Sequence, residues 1–222
     1  MPKEPFDTLQ AIAYCDKFTP DEPGLLADLR EATRDELRYD DMLSGPEVCS
    51  LLQMLVRVSG ARRILEIGTF TGYATLSMAL AAAPGTHIIT CESNEKYAGI
   101  ARRFFARFGK THTSRTIELR LGDARTFRPV GAFDLIFLDA DKQHYPQYYQ
   151  TLMPGLRQGG VLVVDNVFWG GLVWGQGQQE ASEANLRKAE AIDRLNRMIA
   201  EDRGVGHMLL PIRDGVHVAW KK

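Results

Sequence analysis

Apolar positions along the chain follow two different periodicities. Before Gly60 they recur at intervals of three and four residues, as between Val48 and Val56, which is typical of an amphipathic helix. Residues 19–22 and 44–47 each have the spacing of a capping box with proline at the first helical position. We therefore predict a helical N-terminal extension over residues 1–60, with one helix over about residues 19–40 and another after Ser44.

After Gly60, short β-rich runs alternate with helical stretches, which predicts a parallel sheet with helices on both faces. The predicted strands are residues 63–67, 86–91, 116–121, 133–138 and 161–164. The predicted helices between them are residues 73–83, 95–108 and 145–156. The last two of these strands are almost continuously apolar, as expected for strands that are buried on both faces.

The C-terminal part departs from this alternation. Residues 205–210 and 216–220 are separated by only five residues, too few for a crossover helix, so they are predicted to pair as an antiparallel hairpin. A Gly- and Trp-rich loop at residues 168–177 and a charged helix at residues 183–202 precede the hairpin. We expect a single α/β domain over residues 1–222, with the sheet within residues 61–222.

Composition narrows the classes of partner. The chain has 222 residues, 45% of them hydrophobic, which is enough for one full core, and its net charge of −1 gives no reason to expect nucleic acid or an anionic membrane. No apolar run approaches the ~20 residues that span a bilayer, and residues 1–5 lack the apolar core of a signal peptide. The three cysteines are scattered, which predicts reduced thiols in a cytoplasmic protein.

Ligands of open α/β sheets bind at the carboxyl ends of the strands. The first predicted strand runs into residues 66–73, where Gly68 and Gly72 allow a tight turn close to a ligand. Phe70 occupies the position of the middle glycine of the dinucleotide fingerprint, and no Gly-Lys-Ser/Thr follows, so neither a dinucleotide site nor a P-loop is predicted. A glycine turn that merely joins the strand to a helix is the alternative interpretation.

The second and third predicted strands end on acidic residues that suit an adenosine. Glu92 could accept both ribose hydroxyls, although a carboxylate that complements a helix N-terminus would occupy the same position. Asp123, which precedes Ala124, could accept a hydrogen bond from an adenine amino group. An adenosyl pocket with few phosphate-binding features fits S-adenosylmethionine, which carries an adenosine and a sulfonium but no pyrophosphate.

The fourth predicted strand ends at residues 139–142 (DADK) and the fifth at Asp165 and Asn166. If these strands are neighbours, Asp139, Asp165 and Asn166 converge, and two close carboxylates need a cation between them to stay ionised. Such an all-oxygen site suits Mg²⁺, Mn²⁺ or Ca²⁺ and leaves positions open for a bidentate diol. The alternative is that Asp139 and Asp165 only cap the following helices.

Methyl transfer from a sulfonium to a phenol needs an activated oxygen, because a neutral phenol is a poor nucleophile. A bound cation would lower the pKa of the phenol and align its oxygen with the methyl group. Lys142, beside the cation, would have a lowered pKa and could take the phenolic proton. An exposed lysine at a helix start is the alternative. His144, two residues further on, is expected at the surface.

Three stretches and a late turn resemble a known family: residues 65–73, 137–142, 164–166 and 210–215. From about residue 41 to the C-terminus, the chain resembles the cation-dependent O-methyltransferases, which include caffeoyl-CoA and catechol O-methyltransferases. The resemblance implies a Rossmann-like, class I S-adenosylmethionine-dependent methyltransferase fold, with a seven-stranded, mostly parallel sheet whose last strand is antiparallel. Members of the family are commonly dimers, so a homodimer is expected.

The resemblance also implies roles for individual residues. Asp139, Asp165 and Asn166 would bind the metal. Lys142 would be the catalytic base, and Glu92 would hold the ribose. The expected cofactor pocket contains Met42, Ser44, Glu66, Gly68, Thr69, Phe70, Gly72, Tyr73, Ala74, Glu92, Asp123, Ala124, Asp139 and Asp141. For Met42, packing as a hydrophobic staple at the start of its helix is an equal alternative.

Some positions depart from the family's pattern. Residues 186–188 (LRK) are not followed by the tyrosines of the plant caffeoyl-CoA enzymes, so a coenzyme A thioester is not supported as the acceptor. Phe168, Trp169 and Trp174 are predicted to form a flexible lid over a flat ring or, alternatively, to pack on a dimer partner. Arg213 stands where many relatives have glycine, and nothing in the sequence explains it.

The expected function is the divalent-metal-dependent transfer of a methyl group from S-adenosylmethionine to a hydroxyl of a small aromatic diol. An NAD-dependent oxidoreductase could use the same sheet, although the missing middle glycine disfavours it. A non-catalytic module that binds S-adenosylmethionine is the second alternative, although such a module would need no metal beside an acceptor.

Overall fold

The computed structural model describes residues 8–19, 22–38, 40–128 and 130–222. Pro20 and Asp21 of the first predicted capping box lie outside the described residues, as do residues 1–5. No helix within the described ranges has the combination of length and hydropathy that crossing a bilayer requires.

The described residues form one mixed sheet whose strands are β1 (Arg63–Ile67), β2 (His87–Glu92), β3 (Thr116–Leu121), β4 (Phe133–Leu138), β5 (Leu156–Asp165), β6 (Val205–Leu210) and β7 (Val216–Lys221). The spatial order is β3-β2-β1-β4-β5-β7-β6. β1 to β5 are mutually parallel, and β7 is antiparallel to both β5 and β6. The predicted mostly parallel sheet, the C-terminal hairpin and the adjacency of β4 and β5 are confirmed.

Helices cover both faces of the sheet: α1 (Thr8–Asp16), α2 (Gly24–Leu37), α3 (Pro46–Ser59), α4 (Tyr73–Ala81), α5 (Glu95–Thr111), α6 (Tyr145–Leu152) and α7 (Glu183–Glu201). Residues of α2 to α5, such as Leu29 and Leu52, form the core on one face. Residues of α6 and α7, such as Tyr145 and Leu195, form it on the other. Each such buried side chain contributes ~1.5–3 kcal/mol, so α2 and α3 are held firmly in the core on their face of the sheet.

β5 is longer than the predicted strand at residues 161–164. Its first half contains residues 157–160 (RQGG), which show no apolar alternation and of which residues 158 and 159 are exposed. Its pairing with β4 is irregular between Phe133 and Leu135. The helix predicted over residues 145–156 is correspondingly short. It ends at Leu152 and is followed by a 3₁₀ turn that contains Pro154, which cannot donate to a continuing helix.

Both predicted capping boxes are wrong. α2 begins after Pro23, which has a φ of −56° and provides no side-chain cap, while Thr19 donates to the carbonyl of Cys15 at 3.3 Å. α3 begins at Pro46 as predicted, but its N-cap residue is Gly45 and has no side chain to donate or accept. The hydroxyl of Ser44 is directed instead towards the carboxylate of Asp139, at 3.4 Å. The Ser44 side chain is therefore directed to Asp139 rather than to the helix N-terminus.

Candidate active site

The carboxyl ends of β1, β2, β4 and β5 surround a cavity of about 960 Å³. The predicted site residues that line it are Met42, Ser44, Gly68, Thr69, Phe70, Tyr73, Ala74, Glu92, Asp123, Ala124, Asp139, Asp141, Lys142 and Asn166. Glu66, Gly72 and Asp165 are not among the lining residues. Met42 lines the cavity and is 54% exposed, which favours a place at the site over the alternative of a hydrophobic staple.

Within residues 139–142, Asp139 and Lys142 are mostly shielded from solvent, whereas Asp141 lies at the exposed edge of the cavity. Asp139 and Lys142 form a salt bridge of 2.5 Å between Oδ1 and Nζ, and the side chain of Lys142 is only 9% exposed. Asp141 is half-exposed and accepts from the backbone N–H of Gln143 at 3.2 Å. Its other oxygen lies 2.6 Å from Nδ1 of His144. The first carboxylate of the run is thus paired with a buried ammonium, and the second faces outwards.

The predicted lowering of the Lys142 pKa refers to the protein with a bound cation and stays a prediction; in the protein alone this pKa is raised. Burial lowers this pKa, but the charge of Asp139 and the contact with Tyr145 together raise it above its usual range. The ammonium also lies 5.2 Å from the centroid of the Tyr145 ring. The prediction assumed a cation as the neighbour of Lys142, whereas the neighbour in the protein alone is a carboxylate, which favours the protonated lysine.

Asp165 is the last residue of β5 and Asn166 follows it, next to the end of β4, whose residue Leu138 pairs with Val164. Asp165 is buried, and its pKa is raised by burial and then by the negative charge of Asp139. Asn166 has a φ of +56°, a left-handed conformation that asparagine tolerates better than most residues. The two carboxylates therefore repel one another in a poorly solvated place, and a cation between them would relieve that repulsion.

Within the described residues, no three His, Cys, Asp or Glu side chains are arranged so that they could hold a metal ion. A metal at the Asp139–Asp165 pair would consequently need the amide of Asn166 as its third protein ligand. Two carboxylates and an amide oxygen form a donor set that fits a hard divalent cation such as Mg²⁺.

Glu92, at the end of β2, is bound by three backbone donors. Its Oε2 accepts from the N–H of Phe70 at 2.7 Å, and its Oε1 accepts from those of Ser93 and Asn94, both at 2.9 Å. The side chain that caps α5 is Asn94, which accepts from the N–H of Lys96 at 2.9 Å. Because a carboxylate has about four acceptor positions, Glu92 keeps capacity for a ligand hydroxyl at the cavity wall.

Asp123, after β3, is paired with a residue that sequence reasoning missed. Arg125 donates to both of its oxygens, at 2.9 Å from Nε to Oδ1 and 2.6 Å from Nη2 to Oδ2. This pairing lowers the pKa of Asp123 to about 2. Nη1 of Arg125 also lies 3.2 Å from Nε2 of His144, so the partly exposed His144 belongs to a polar rim that continues to Asp141.

Gly68 is required by the close approach of two strand ends. Its φ is +102°, and a Cβ atom there would lie 1.8 Å from the carbonyl oxygen of Asp139. Glu66, two residues earlier, lies beneath this turn, where it accepts from the hydroxyls of Thr75 and Thr90. Its Oε1 has no hydrogen-bond partner among the described residues, and burial raises the pKa of Glu66 to about 8. Glu66 thus supports the turn from below instead of lining the cavity.

The N-terminal extension supports the same turn from above. The hydroxyl of Tyr73 bonds to Glu22 and accepts from Nη2 of Arg30 at 2.8 Å. The hydroxyl of Thr33 donates to that of Thr71 at 2.9 Å. These contacts, which connect residues distant in sequence, were not predicted.

The predicted aromatic loop has one tryptophan in the cavity wall and one outside it. Trp169 lines the cavity, whereas Trp174 is 60% exposed and packs edge-on against Phe168 at 5.2 Å. The beginning of the loop is bonded to the turn before β7. Phe168 N–H donates to the carbonyl of Asp214 at 2.9 Å, and Gly170 N–H donates to the carboxylate of the same residue at 2.7 Å.

Arg213 has a structural explanation that the sequence alone did not provide. Its Nη1 lies 3.6 Å from Oε2 of Glu47, the second residue of α3. The arginine side chain crosses Gly45, where a Cβ atom would lie 2.0 Å from Nη1. Arg213 therefore ties the β6–β7 turn to the start of α3, next to Ser44.

The chain matches a family model described as O-methyltransferase over residues 16–222. It is 33% identical to tricin synthase 1 of Oryza sativa subsp. japonica, over 96% of this chain and 87% of that protein. It is 30% identical to the caffeoyl-CoA O-methyltransferase of Petroselinum crispum, over 89% of this chain and 83% of that protein.

Solved structures of methyltransferases are similar to this chain in fold. The SAH-bound methyltransferase PaMTH1 of Podospora anserina superimposes with a TM-score of 0.84 at 29% identity, covering 100% of this chain and 99% of that one. The O-methyltransferase TomG of Streptomyces achromogenes, in complex with SAM, gives a TM-score of 0.80 at 27% identity and 96% coverage of both chains. The predicted class I methyltransferase fold is confirmed by these neighbours.

Proposed function

The chain belongs to the O-methyltransferase family, and from this membership we propose that it methylates one hydroxyl of a small vicinal aromatic diol with a divalent cation in its site. Its relatives and structural neighbours are S-adenosylmethionine-dependent O-methyltransferases of the caffeoyl-CoA type, so the cofactor and the reaction type follow from the family. The observation that supports the metal-dependent part is the pairing of the partly buried Asp139 with the buried Asp165, with Lys142 beside them.

The proposed metal ligands are Asp139, Asp165 and Asn166. Burial and the charge of Asp139 make an ionised Asp165 unfavourable even with Lys142 nearby, and the all-oxygen donor set fits Mg²⁺, with Mn²⁺ and Ca²⁺ as alternatives. When bound, such a cation lowers the pKa of a coordinated hydroxyl and fixes its orientation.

The cavity has room for both substrates. Ligand cavities usually measure ~300–1,000 Å³, and the present cavity of about 960 Å³ is near the upper end. We propose that the free acceptor capacity of Glu92 receives the ribose hydroxyls and that the turn around Gly68 approaches the methionine part of the cofactor. Glu66 and Gly72, which do not line the cavity, would support this turn without touching the cofactor.

Lys142 is the proposed proton acceptor for the reacting hydroxyl. Its Nζ lines the cavity beside Asp139 and is shielded from bulk water. Because the charge of Asp139 raises the pKa of Lys142, the lysine can act as a base only when that charge is balanced in the reacting complex. The ring of the acceptor would lie against Trp169, which offers the flat apolar surface of the cavity wall.

The test is an assay of purified protein with labelled S-adenosylmethionine and a panel of catechols, each matched with the corresponding monophenol. We expect label in the catechols, dependent on added Mg²⁺ or Mn²⁺ and abolished by chelator, and none in the monophenols. Equal labelling of monophenols would contradict the diol, and labelling in chelator would contradict the metal. Cofactor binding without any labelled product would favour the non-catalytic alternative.

We further propose that the protein acts as a homodimer. Supporting observations are Ile12 and Tyr14 of α1 and Phe18 just beyond it, which are 47%, 63% and 70% exposed. Sedimentation velocity should give a dimer for the natural protein and a monomer after Tyr14→Glu and Phe18→Glu. A natural protein that sediments as a monomer at micromolar concentration would contradict the proposal.

A further inference from the structure

Three basic side chains line the cavity, and two of them are paired with carboxylates of the same cavity. Arg125 pairs with Asp123 at 2.6 Å, and Lys142 pairs with Asp139 at 2.5 Å. The third is Lys188 of α7. Across the described ranges, no carboxylate lies within salt-bridge distance of its Nζ.

The sequence of α7 leaves Lys188 without a helical ion-pair partner. Side chains three and four residues apart face each other on a helix. Around Lys188 those positions hold Ala184, Asn185, Ala191 and Ile192, none of which is acidic. The adjacent Arg187, by contrast, pairs with Glu183 at 3.3 Å and faces solvent. The charge of Lys188 is therefore directed to the cavity and is not balanced along its own helix.

The position of Lys188 is fixed by Trp169. Its Nζ lies 5.1 Å from the centroid of the Trp169 ring, within the range of a cation–π contact. This contact orients the ammonium but uses none of its three N–H donors as a conventional hydrogen bond would. Trp169 has a φ of +50°, and its loop is held by the bonds from Phe168 and Gly170 to Asp214. The ammonium is thus held at the wall against which the acceptor ring is proposed to lie.

We infer that the acceptor carries a carboxylate on the part of its ring away from the reacting hydroxyls, and that Lys188 binds this carboxylate. The inference rests on the proposed function, since it deepens the identity of the diol. One ammonium matches a singly charged group, whereas phosphate sites usually combine an arginine fork or a helix N-terminus with the lysine. The substrate class is accordingly the catechol carboxylic acids.

The experiment compares each of three catechol acids (benzoic, phenylacetic and cinnamic) with its methyl ester, which keeps the ring and diol but removes the charge. KM and kcat are measured for the natural protein and for Lys188→Met, Lys188→Arg and Lys188→Glu. The matched control is Arg187→Gln, which removes one positive charge from the adjacent position of the same helix. Equilibrium binding of each acid and ester to protein saturated with S-adenosylhomocysteine gives a second readout that does not depend on turnover.

For the natural protein we expect at least one acid to have a KM at least tenfold below that of its ester, with similar kcat. Lys188→Met should remove this preference by raising the KM of the acid alone, Lys188→Arg should restore most of it, and Arg187→Gln should leave it unchanged. Lys188→Glu should have a lower KM for a catechol amine than for the catechol acid. Thermal unfolding of each variant checks that the fold is retained.

Several outcomes would overturn the inference. Equal KM values for every acid and its ester in the natural protein would do so while leaving metal-dependent catechol methylation intact. Equal losses for acid and ester in Lys188→Met would show that Lys188 only supports the position of Trp169. If other catechols of the panel are methylated but none of these acids and esters is, this inference fails alone. If no catechol at all is methylated in the presence of metal, the proposed function fails, and this inference fails with it.

Discussion

Gly68→Ala places a methyl group where the ends of β1 and β4 meet. The added Cβ would lie 1.8 Å from the carbonyl oxygen of Asp139 and 2.6 Å from its carbonyl carbon. These are backbone atoms of the neighbouring strand end, so the contact cannot be relieved by rotating a side chain. The substituted residue would also have to keep a φ of +102°, which L residues rarely adopt.

Two costs follow from this geometry. A sparsely populated backbone conformation costs ~1–3 kcal/mol, and overpacking of a well-packed site costs ~1–3 kcal/mol more. We therefore expect Gly68→Ala to lower the free energy of unfolding by about 2–6 kcal/mol. Because Asp139 must move to make room, affinity for S-adenosylmethionine and turnover should also fall in the fraction that folds.

The matched control is Gly99→Ala, inside α5, where a Cβ atom would meet nothing within 4 Å. That change should raise the free energy of unfolding by about 0.5–1 kcal/mol, because alanine is the better helix former. Urea unfolding at pH 7 measures both variants, and cofactor titration follows for those that fold. A Gly68→Ala protein within about 0.5 kcal/mol of the natural one would refute the steric argument, since surface substitutions typically stay within that range.

Three further predictions concern titratable groups. Glu66→Gln should make the protein more stable at pH 8, because the folded state keeps Glu66 protonated up to a pKa of about 8 while the unfolded state releases that proton near 4.5. Urea unfolding at pH 5 and 8 measures the difference, and an equal effect at both would contradict it. Burial, with a contribution from His207, lowers the pKa of His217 to about 4, so stability should fall as pH drops from 6.5 towards 4. His217→Gln should flatten that part of the stability profile; an unchanged slope would oppose the assignment. Lys142→Met should lower kcat by about 10²–10⁴-fold and leave cofactor affinity unchanged in a binding titration, and undiminished kcat would remove Lys142 as the base.

The sheet and its functional edge could be predicted because the relevant signals are local. β4 is apolar at every position except Asp134, and the short separation between β6 and β7 allows only a hairpin. Once β4 and β5 are adjacent, Asp139 and Asp165 follow them to the same edge. The first half of β5 was missed because its Gly159 and Gly160 carry no apolar alternation.

Contacts between distant residues account for most of what could not be predicted. The spacing of residues 44–47 matches a capping box, but the Ser44 hydroxyl has a competing partner 95 positions away in Asp139. Lys188 lines the cavity only because α7 packs against the loop that carries Trp169. The pKa of Lys142 depends on whether a cation balances the negative charge of Asp139. The spacing of residues in the sequence does not reveal this.

The central claim is that methyl transfer depends on a divalent cation held by Asp139, Asp165 and Asn166. Metal-stripped natural protein and Asp165→Asn, which keeps the side-chain shape but removes the charge, are assayed with labelled S-adenosylmethionine and a catechol over a Mg²⁺ titration. The account predicts that natural protein turns over only with added metal. Asp165→Asn should stay inactive at every concentration while binding the cofactor normally. Turnover by Asp165→Asn at the natural rate, or turnover of natural protein in excess chelator, would contradict it.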